Sequence, residues 1–151
     1  MSFQEGQIFA HFKIIKKLGE GGMGEVYLAE DQKLGRNIAL KILHAEFFDN
    51  KDRLERFKRE ARTAAQLNHP NIMGIHDIGS EKDESGNDLH YIVMEYIEGE
   101  SLTDFLAYKS HQLKDLMRIA EKIAVGLASA HKLNIVHRDI KSENIMVTAS
   151  G

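Results

Sequence analysis

An aspartate, a lysine two positions on and an asparagine five positions on give this 151-residue sequence its strongest chemical signal. They are Asp139, Lys141 and Asn144, within Val136-His137-Arg138-Asp139-Ile140-Lys141-Ser142-Glu143-Asn144-Ile145-Met146, a polar loop between two short apolar runs. Each type has a task in phosphoryl transfer. A carboxylate accepts or orients the proton of an attacking hydroxyl, and a cation neutralises charge on the moving phosphoryl group. A neutral amide oxygen helps hold magnesium.

A second group lies near the N-terminus. Gly19-Glu20-Gly21-Gly22-Met23-Gly24-Glu25-Val26 is a G-x-G-x-x-G-x-V string. Glycines so spaced let the backbone turn tightly and come within hydrogen-bond reach of phosphate oxygens, where a Cβ would intrude. A dinucleotide-binding fold would open a helix at the last glycine. Here Glu25-Val26-Tyr27-Leu28-Ala29-Glu30 alternates like a strand, and no Gly-Lys-Ser/Thr follows to make a Walker loop. Strand, glycines, strand reads as a flap over a nucleotide.

Lys41 and Glu60 complete the set. Ile38-Ala39-Leu40-Lys41 places a lysine inside an apolar strand, on the same face as Ala39. On a helix, Leu54, Phe57, Ala61, Ala64 and Leu67 form one stripe, and Glu60 falls inside it between Ala64 and Leu67. A carboxylate on a buried face needs a cationic partner. Lys41 is the expected one, its ammonium then standing against phosphate oxygens, unless the helix is rotated so that the two lie apart.

The elements that must position these groups follow from periodicity. Phe12 to Leu18, Glu25 to Glu30, Asn37 to Leu43, Ile75 to Ser80 and Leu89 to Glu95 read as strands. A helix from about Asp52 to Leu67 interrupts them, and Pro70 follows its end. The polar stretch Glu81 to Asp88 reads as a solvated loop. Beyond Glu100 the pattern turns helical, with Leu113, Leu116, Ala120, Ile123, Leu127 and Ala130 three and four apart. The expected fold class is α+β, with five strands and one helix in one lobe and a helical second lobe. The expected boundaries are 1–97 and 98–151, with a hinge at about 94–99.

Composition narrows the rest. Twenty Lys and Arg against 23 Asp and Glu give a net charge of −3, which argues for neither a nucleic-acid nor a membrane partner. The absence of cysteine excludes disulfides and suits a reducing compartment. No apolar run approaches the roughly 20 residues of a membrane span, and the N-terminus lacks a signal-peptide pattern. A cytoplasmic location is expected, with a membrane anchor further along a longer chain left open.

Taken in order, the Gly19–Val26 loop, Ile38-Ala39-Leu40-Lys41, Glu60 and His137-Arg138-Asp139-Ile140-Lys141-Ser142-Glu143-Asn144 resemble the eukaryotic-type protein kinase family. Lys141 is similar to the Ser/Thr branch. Gly21 through Asp31, with Leu34-Gly35-Arg36 next, resembles bacterial Ser/Thr kinases in particular. The resemblance implies ATP and magnesium as cofactors and a protein carrying a Ser or Thr acceptor as substrate. It implies Asp139 as catalytic base, Lys141 as phosphate-side cation and Asn144 as a magnesium ligand. Lys41 would meet the α- and β-phosphates, held by Glu60.

The same resemblance lays Leu18, Gly19, Glu20, Gly21, Gly22, Met23, Gly24, Glu25 and Val26 along the nucleotide. Val26 and Ala39 would roof the adenine and Met146 would floor it. Met94 would border its pocket, and the Glu95 carbonyl and Ile97 amide would meet its edge. Ser142 stands where the family usually has proline. The sequence reaches Gly151 before an Asp-Phe-Gly, which supplies the family's chief magnesium ligand. The 151 residues alone are therefore expected to be inactive in transfer. An alternative is a chain that binds nucleotide or a partner without catalysis.

Overall fold

Alternating apolar residues from Phe12 onward build the sheet that carries the first group of candidate residues. The computed structural model describes residues 2–151. They form two compact units, one of residues up to 66 together with 74–96, the other of 67–73 and 97–151.

In the first unit, strands β1 (Ile8–Phe9), β2 (Phe12–Glu20), β3 (Gly24–Asp31), β4 (Arg36–Leu43), β5 (Ile75–Lys82) and β6 (Asp88–Glu95) form one sheet in the order β1-β2-β3-β4-β6-β5. All neighbours run antiparallel. The five expected strands are all present, each a residue or two longer than its apolar run. The sheet has a sixth, because β1 pairs Ile8 with Lys13 and Phe9 with Phe12 through a tight turn in which Ala10 takes φ 54°. Two residues are too few for a period to register.

Strand alternation sends Phe12, Ile14, Tyr27, Ala29, Ile38, Leu40, Ile42, Tyr91 and Val93 into one buried cluster with Phe9. A large apolar side chain taken fully out of water contributes about 1.5–3 kcal/mol, so this cluster is the unit's main source of stability. The opposite parity of β3, β4 and β6 carries Val26, Leu28, Ala39, Lys41, Ile92 and Met94, set directly across from one another in register.

Helix α1 (Lys51–Ala65) starts at Asn50, whose side chain accepts from the Asp52 N–H at 2.8 Å. It lies along β5 and buries Ala61. The β5–β6 connection is a closed turn in which the Asp83 carboxylate accepts from the Ser85 and Asn87 N–H groups, both at 2.8 Å.

The second unit is helical, with a short ribbon. Strand β7 (Glu100–Ser101) leads into α2 (Leu102–Tyr108), capped by Ser101, and β7 pairs with β8 (Met146–Val147). Helix α3 (Leu113–Lys132) matches the expected period. Its packed face lies against residues 67–73. A Cβ on Gly126 would meet Asn71 and Ile72 at 3.3 Å, and the Asn71 amide donates to the Lys122 carbonyl at 2.9 Å. Toward its start the same helix leaves Leu113 73% and Met117 63% exposed. No helix among the described residues is long and apolar enough to cross a membrane.

Candidate active site

The glycine-rich string is the hairpin joining β2 to β3. Gly21 N–H donates to the Gly24 carbonyl at 2.9 Å and Gly24 N–H returns to the Gly21 carbonyl at 3.3 Å, so Gly22 and Met23 form the tip. His44 N–H donates to the Met23 carbonyl at 3.0 Å and ties that tip to the residue after β4. The glycines divide by surroundings. A Cβ on Gly24 would stand 2.0 Å from the Ile42 carbonyl oxygen, so glycine is what lets β3 lie against β4 here. At Gly19, Gly21 and Gly22 no protein atom comes within 4 Å of that position. The close approach to β4 is a further reason for glycine at Gly24 that the sequence did not reveal.

On the sheet, Lys41 sits half-buried between Val26 of β3 and Ile92 of β6. Ala39, its neighbour on that face, lies between Leu28 and Met94. The structure therefore brings Val26, Ala39, Lys41 and Met94 onto one surface, Ala39 and Lys41 by alternation and the other two by register. Glu95, the last residue of β6, donates its N–H to the Gly74 carbonyl at 2.8 Å, and its carboxylate accepts from the Gly74 N–H at 3.1 Å. Leu18, Met23 and Glu20 are exposed along the hairpin.

Glu60 does not lie on a buried face, and the expected pairing with Lys41 is not formed in this arrangement. The side chain is exposed on α1 and takes part in none of the ion pairs among the described residues. The reason lies at the end of the apolar stripe. The helix ends at Ala65, so Leu67 is not on it. Without Leu67 the stripe centres between Phe57 and Ala61, and at about 100° per residue Glu60 points some 80° from that centre, beyond Ala64.

In the second unit the Asp139 loop is tightly organised. Asn144 Nδ2 donates to the Asp139 carbonyl and to Asp139 Oδ2, both at 3.0 Å. Lys141 Nζ lies 3.8 Å from Asp139 Oδ1. Arg138 takes φ 69°, and the Asp139 N–H reaches back to His137 Nδ1 at 3.2 Å. A non-glycine residue held at positive φ costs on the order of 1–2 kcal/mol, and such strain concentrates at functional sites. Here it turns the exposed Asp139 carboxylate toward Lys141 and Asn144. Ser142 accepts a hydrogen bond from the Thr103 hydroxyl of α2 at 2.8 Å, a contact proline could not make. Ile97 and Met146 line one cleft of about 160 Å³ with Ile119 and Ile123.

One cluster escaped the sequence reading. Glu25 is 5% exposed and accepts hydrogen bonds from Ser2 Oγ at 2.8 Å, Lys17 Nζ at 2.9 Å and the Tyr27 hydroxyl. Burial pushes its carboxyl up, but the bonds from Tyr27, Lys17 and Ser2 outweigh that and hold it at about 2. Lys17 also donates to Glu20 at 2.9 Å, and hydrogen bonds to Glu20 and Glu25 raise its ammonium above the ordinary lysine range. The Glu25 side chain, expected from sequence along the nucleotide, is thus engaged on the face opposite Lys41. The signal available was parity, since Glu25 shares its strand face with Tyr27 and Ala29.

This architecture and these motifs define a protein kinase. The protein kinase domain family matches residues 12–151, and the chain belongs to that family. Among curated relatives it is 41% identical over 146 residues to the serine/threonine-protein kinase PrkC of Bacillus subtilis, covering 96% of this chain and 22% of PrkC. It is 38% identical over 141 residues to PknA of Mycobacterium tuberculosis, covering 93% of this chain and 33% of PknA. The chain thus spans about a fifth to a third of the length of these relatives. A crystal structure of the Mycobacterium tuberculosis PknI kinase domain superposes with a TM-score of 0.79 at 29% identity. It matches 99% of this chain, which covers 59% of the PknI chain.

Proposed function

We propose that the protein transfers the γ-phosphoryl group of ATP to Ser or Thr hydroxyls of other proteins. The observation that carries this reading is the Asp139 loop, where one carboxylate is oriented by Asn144 and faced by Lys141. In the proposed step the acceptor hydroxyl oxygen bonds to Pγ as the bond from Pγ to the β-phosphate oxygen breaks. The hydroxyl proton passes to Asp139, and ADP leaves. Lys141 offsets charge on the moving group. In the first unit, the open backbone of Gly19, Gly21 and Gly22 is available to phosphate oxygens and Lys41 serves the α- and β-phosphates. There Val26, Ala39 and Met94 supply apolar surface for the adenine. We read the two units as the kinase lobes and assign the protein to the cytoplasm, which suits its lack of cysteine.

Magnesium, when bound, neutralises phosphate oxygens and orients them. Asn144 fits it: Nδ2 is engaged by Asp139, which leaves Oδ1, a hard oxygen donor, for the cation. Among the described residues no group of three or more His, Cys, Asp or Glu could hold a metal. Asn144 is therefore the single ligand assigned here. Pairing of Glu60 with Lys41 requires α1 to turn its exposed edge toward the sheet, and we assign that movement to formation of the active arrangement.

The test is phosphotransfer from labelled ATP to a generic Ser/Thr substrate, with residues 1–151 beside the same residues extended into a complete kinase domain. The extended form is expected to transfer and its Asp139→Asn variant to lose about 10²–10⁴-fold, the usual worth of a positioned base, while still binding ATP. Substantial transfer by Asp139→Asn refutes the role of Asp139. Residues 1–151 alone are expected to be silent. A second reading, partner binding without transfer, is favoured by the exposed Leu113 and Met117 on α3.

A further inference from the structure

Residues 2–9 cross the sheet face opposite Lys41, from Ser2 at the base of the glycine-rich hairpin to Phe9 beside the start of β2. Gly6 N–H donates to the Ile14 carbonyl at 2.8 Å and Ile14 N–H to the Gln7 carbonyl at 2.9 Å, so the segment is fastened to β2. Phe3 stacks edge-on against Phe9 at 5.1 Å and against Tyr27 at 5.8 Å, and its N–H donates to the Tyr27 hydroxyl at 3.0 Å. Ser2 then reaches Glu25.

Glu25 is directly opposite Glu20 in the β2–β3 ladder, one residue from Gly24. Two carboxylates facing each other across a ladder repel. Here Lys17 bridges both, and the remaining capacity of Glu25 is filled by Ser2 and Tyr27. A buried carboxylate stripped of such partners carries an uncompensated desolvation cost, so closure of the hairpin depends on them. Val26, the next residue, points to the Lys41 face, and any tilt of β3 at Glu25 moves Val26 and the glycines together.

We propose that residues 2–9 are a strap that positions the glycine-rich hairpin over the phosphates of ATP, with Glu25 as the positioning residue that joins strap to hairpin. The proposal rests on the ATP reading above. It gives the N-terminal segment a function: anything that lifts Ser2 and Phe3 from the sheet weakens the grip on phosphates without touching the adenine side.

The test compares ATP and adenosine binding by calorimetry in the wild-type protein and in variants carrying a deletion of residues 2–7, Ser2→Ala, Phe3→Ala, Lys17→Met or Glu25→Gln. The deletion and Glu25→Gln are expected to raise the Kd for ATP about tenfold, equivalent to about 1.4 kcal/mol, with adenosine affinity held within about twofold. In turnover assays the deletion raises KM for ATP and leaves kcat at saturation unchanged. Loss of ATP and adenosine affinity in parallel indicates general destabilisation and overturns the proposal, as does no change in either. Circular dichroism checks the fold, and if Glu25→Gln does not fold, Ser2→Ala and Phe3→Ala decide the matter. Wild-type protein that binds neither ligand sinks the ATP reading itself, and the strap with it.

Discussion

Replacing Gly24 and Gly21 by alanine separates two reasons for glycine within one motif. At Gly24 the new methyl would stand 2.0 Å from the Ile42 oxygen, 2.9 Å from the Ile42 carbon and 3.0 Å from the Leu43 Cα. All three are backbone atoms, so no side chain can swing aside, and β3 must part from β4 where Gly24 pairs with Leu43. Overpacking of this kind costs about 1–3 kcal/mol, and each ladder hydrogen bond lost adds about 0.5–1.5 kcal/mol. We expect Gly24→Ala to cost about 3 kcal/mol, which in a domain near this size lowers Tm by roughly 6–12 °C. At Gly21 nothing lies within 4 Å of the methyl and the backbone is outside the left-handed region. Gly21→Ala should change stability by no more than about 0.5 kcal/mol while weakening ATP binding, because the methyl occupies space that phosphate oxygens need. Thermal melts and ATP titrations on both variants decide it. A Gly24→Ala protein that melts with wild type, or a Gly21→Ala protein that binds ATP unchanged, refutes the division.

Acid unfolding should report Glu25. Its carboxyl lies lowered to about 2 when folded, against 4.5 for the unpaired group. The stability it contributes is complete above about pH 4.5 and is lost as pH falls toward 2, so Glu25→Gln should flatten denaturation curves in that window. Charged substitution of Leu113 and Met117 to Glu should reduce self-association of residues 1–151 in sedimentation with Tm nearly unchanged, since both are largely exposed. Lys41→Met should raise the Kd for ATP several-fold and leave adenosine binding nearly intact, because Lys41 is assigned to phosphates rather than to the base.

The strands and the long helix were legible because their apolar residues recur with the right period over enough residues. Lys41 and Ala39 share a face by alternation alone, and it is the register that sets Val26 and Met94 beside them. The Asp139 loop was legible as a set of residue types. Its internal geometry was not, because the φ of Arg138 and the direction of the Asn144 amide answer to surrounding contacts rather than to residue type. Glu60 shows how a period misleads at an element's end. Leu67, just past the last helical residue, widened the stripe until it took in a carboxylate that the helix in fact leaves in water.

Glu25 shows the converse. Its parity with Tyr27 and Ala29 already placed a carboxylate on a buried face, and burial of an acid demands partners. Periodicity cannot name them. Lys17 is across the hairpin and can be guessed from the turn, whereas Ser2 arrives from 23 residues away, in a segment with no strand or helix pattern of its own. Phe3 and Phe9 offered the remaining clue, two aromatic residues in a mostly polar stretch, whose large apolar surface has to cover something. Phe3 covers Tyr27 on the back of the hairpin that faces ATP in the proposed function, and Phe9 packs between Phe3 and Tyr91. A segment without periodicity is therefore not a segment without a task, and here its anchoring residues, Ser2 and Phe3, converge on the two side chains that hold the base of the hairpin, Glu25 and Tyr27.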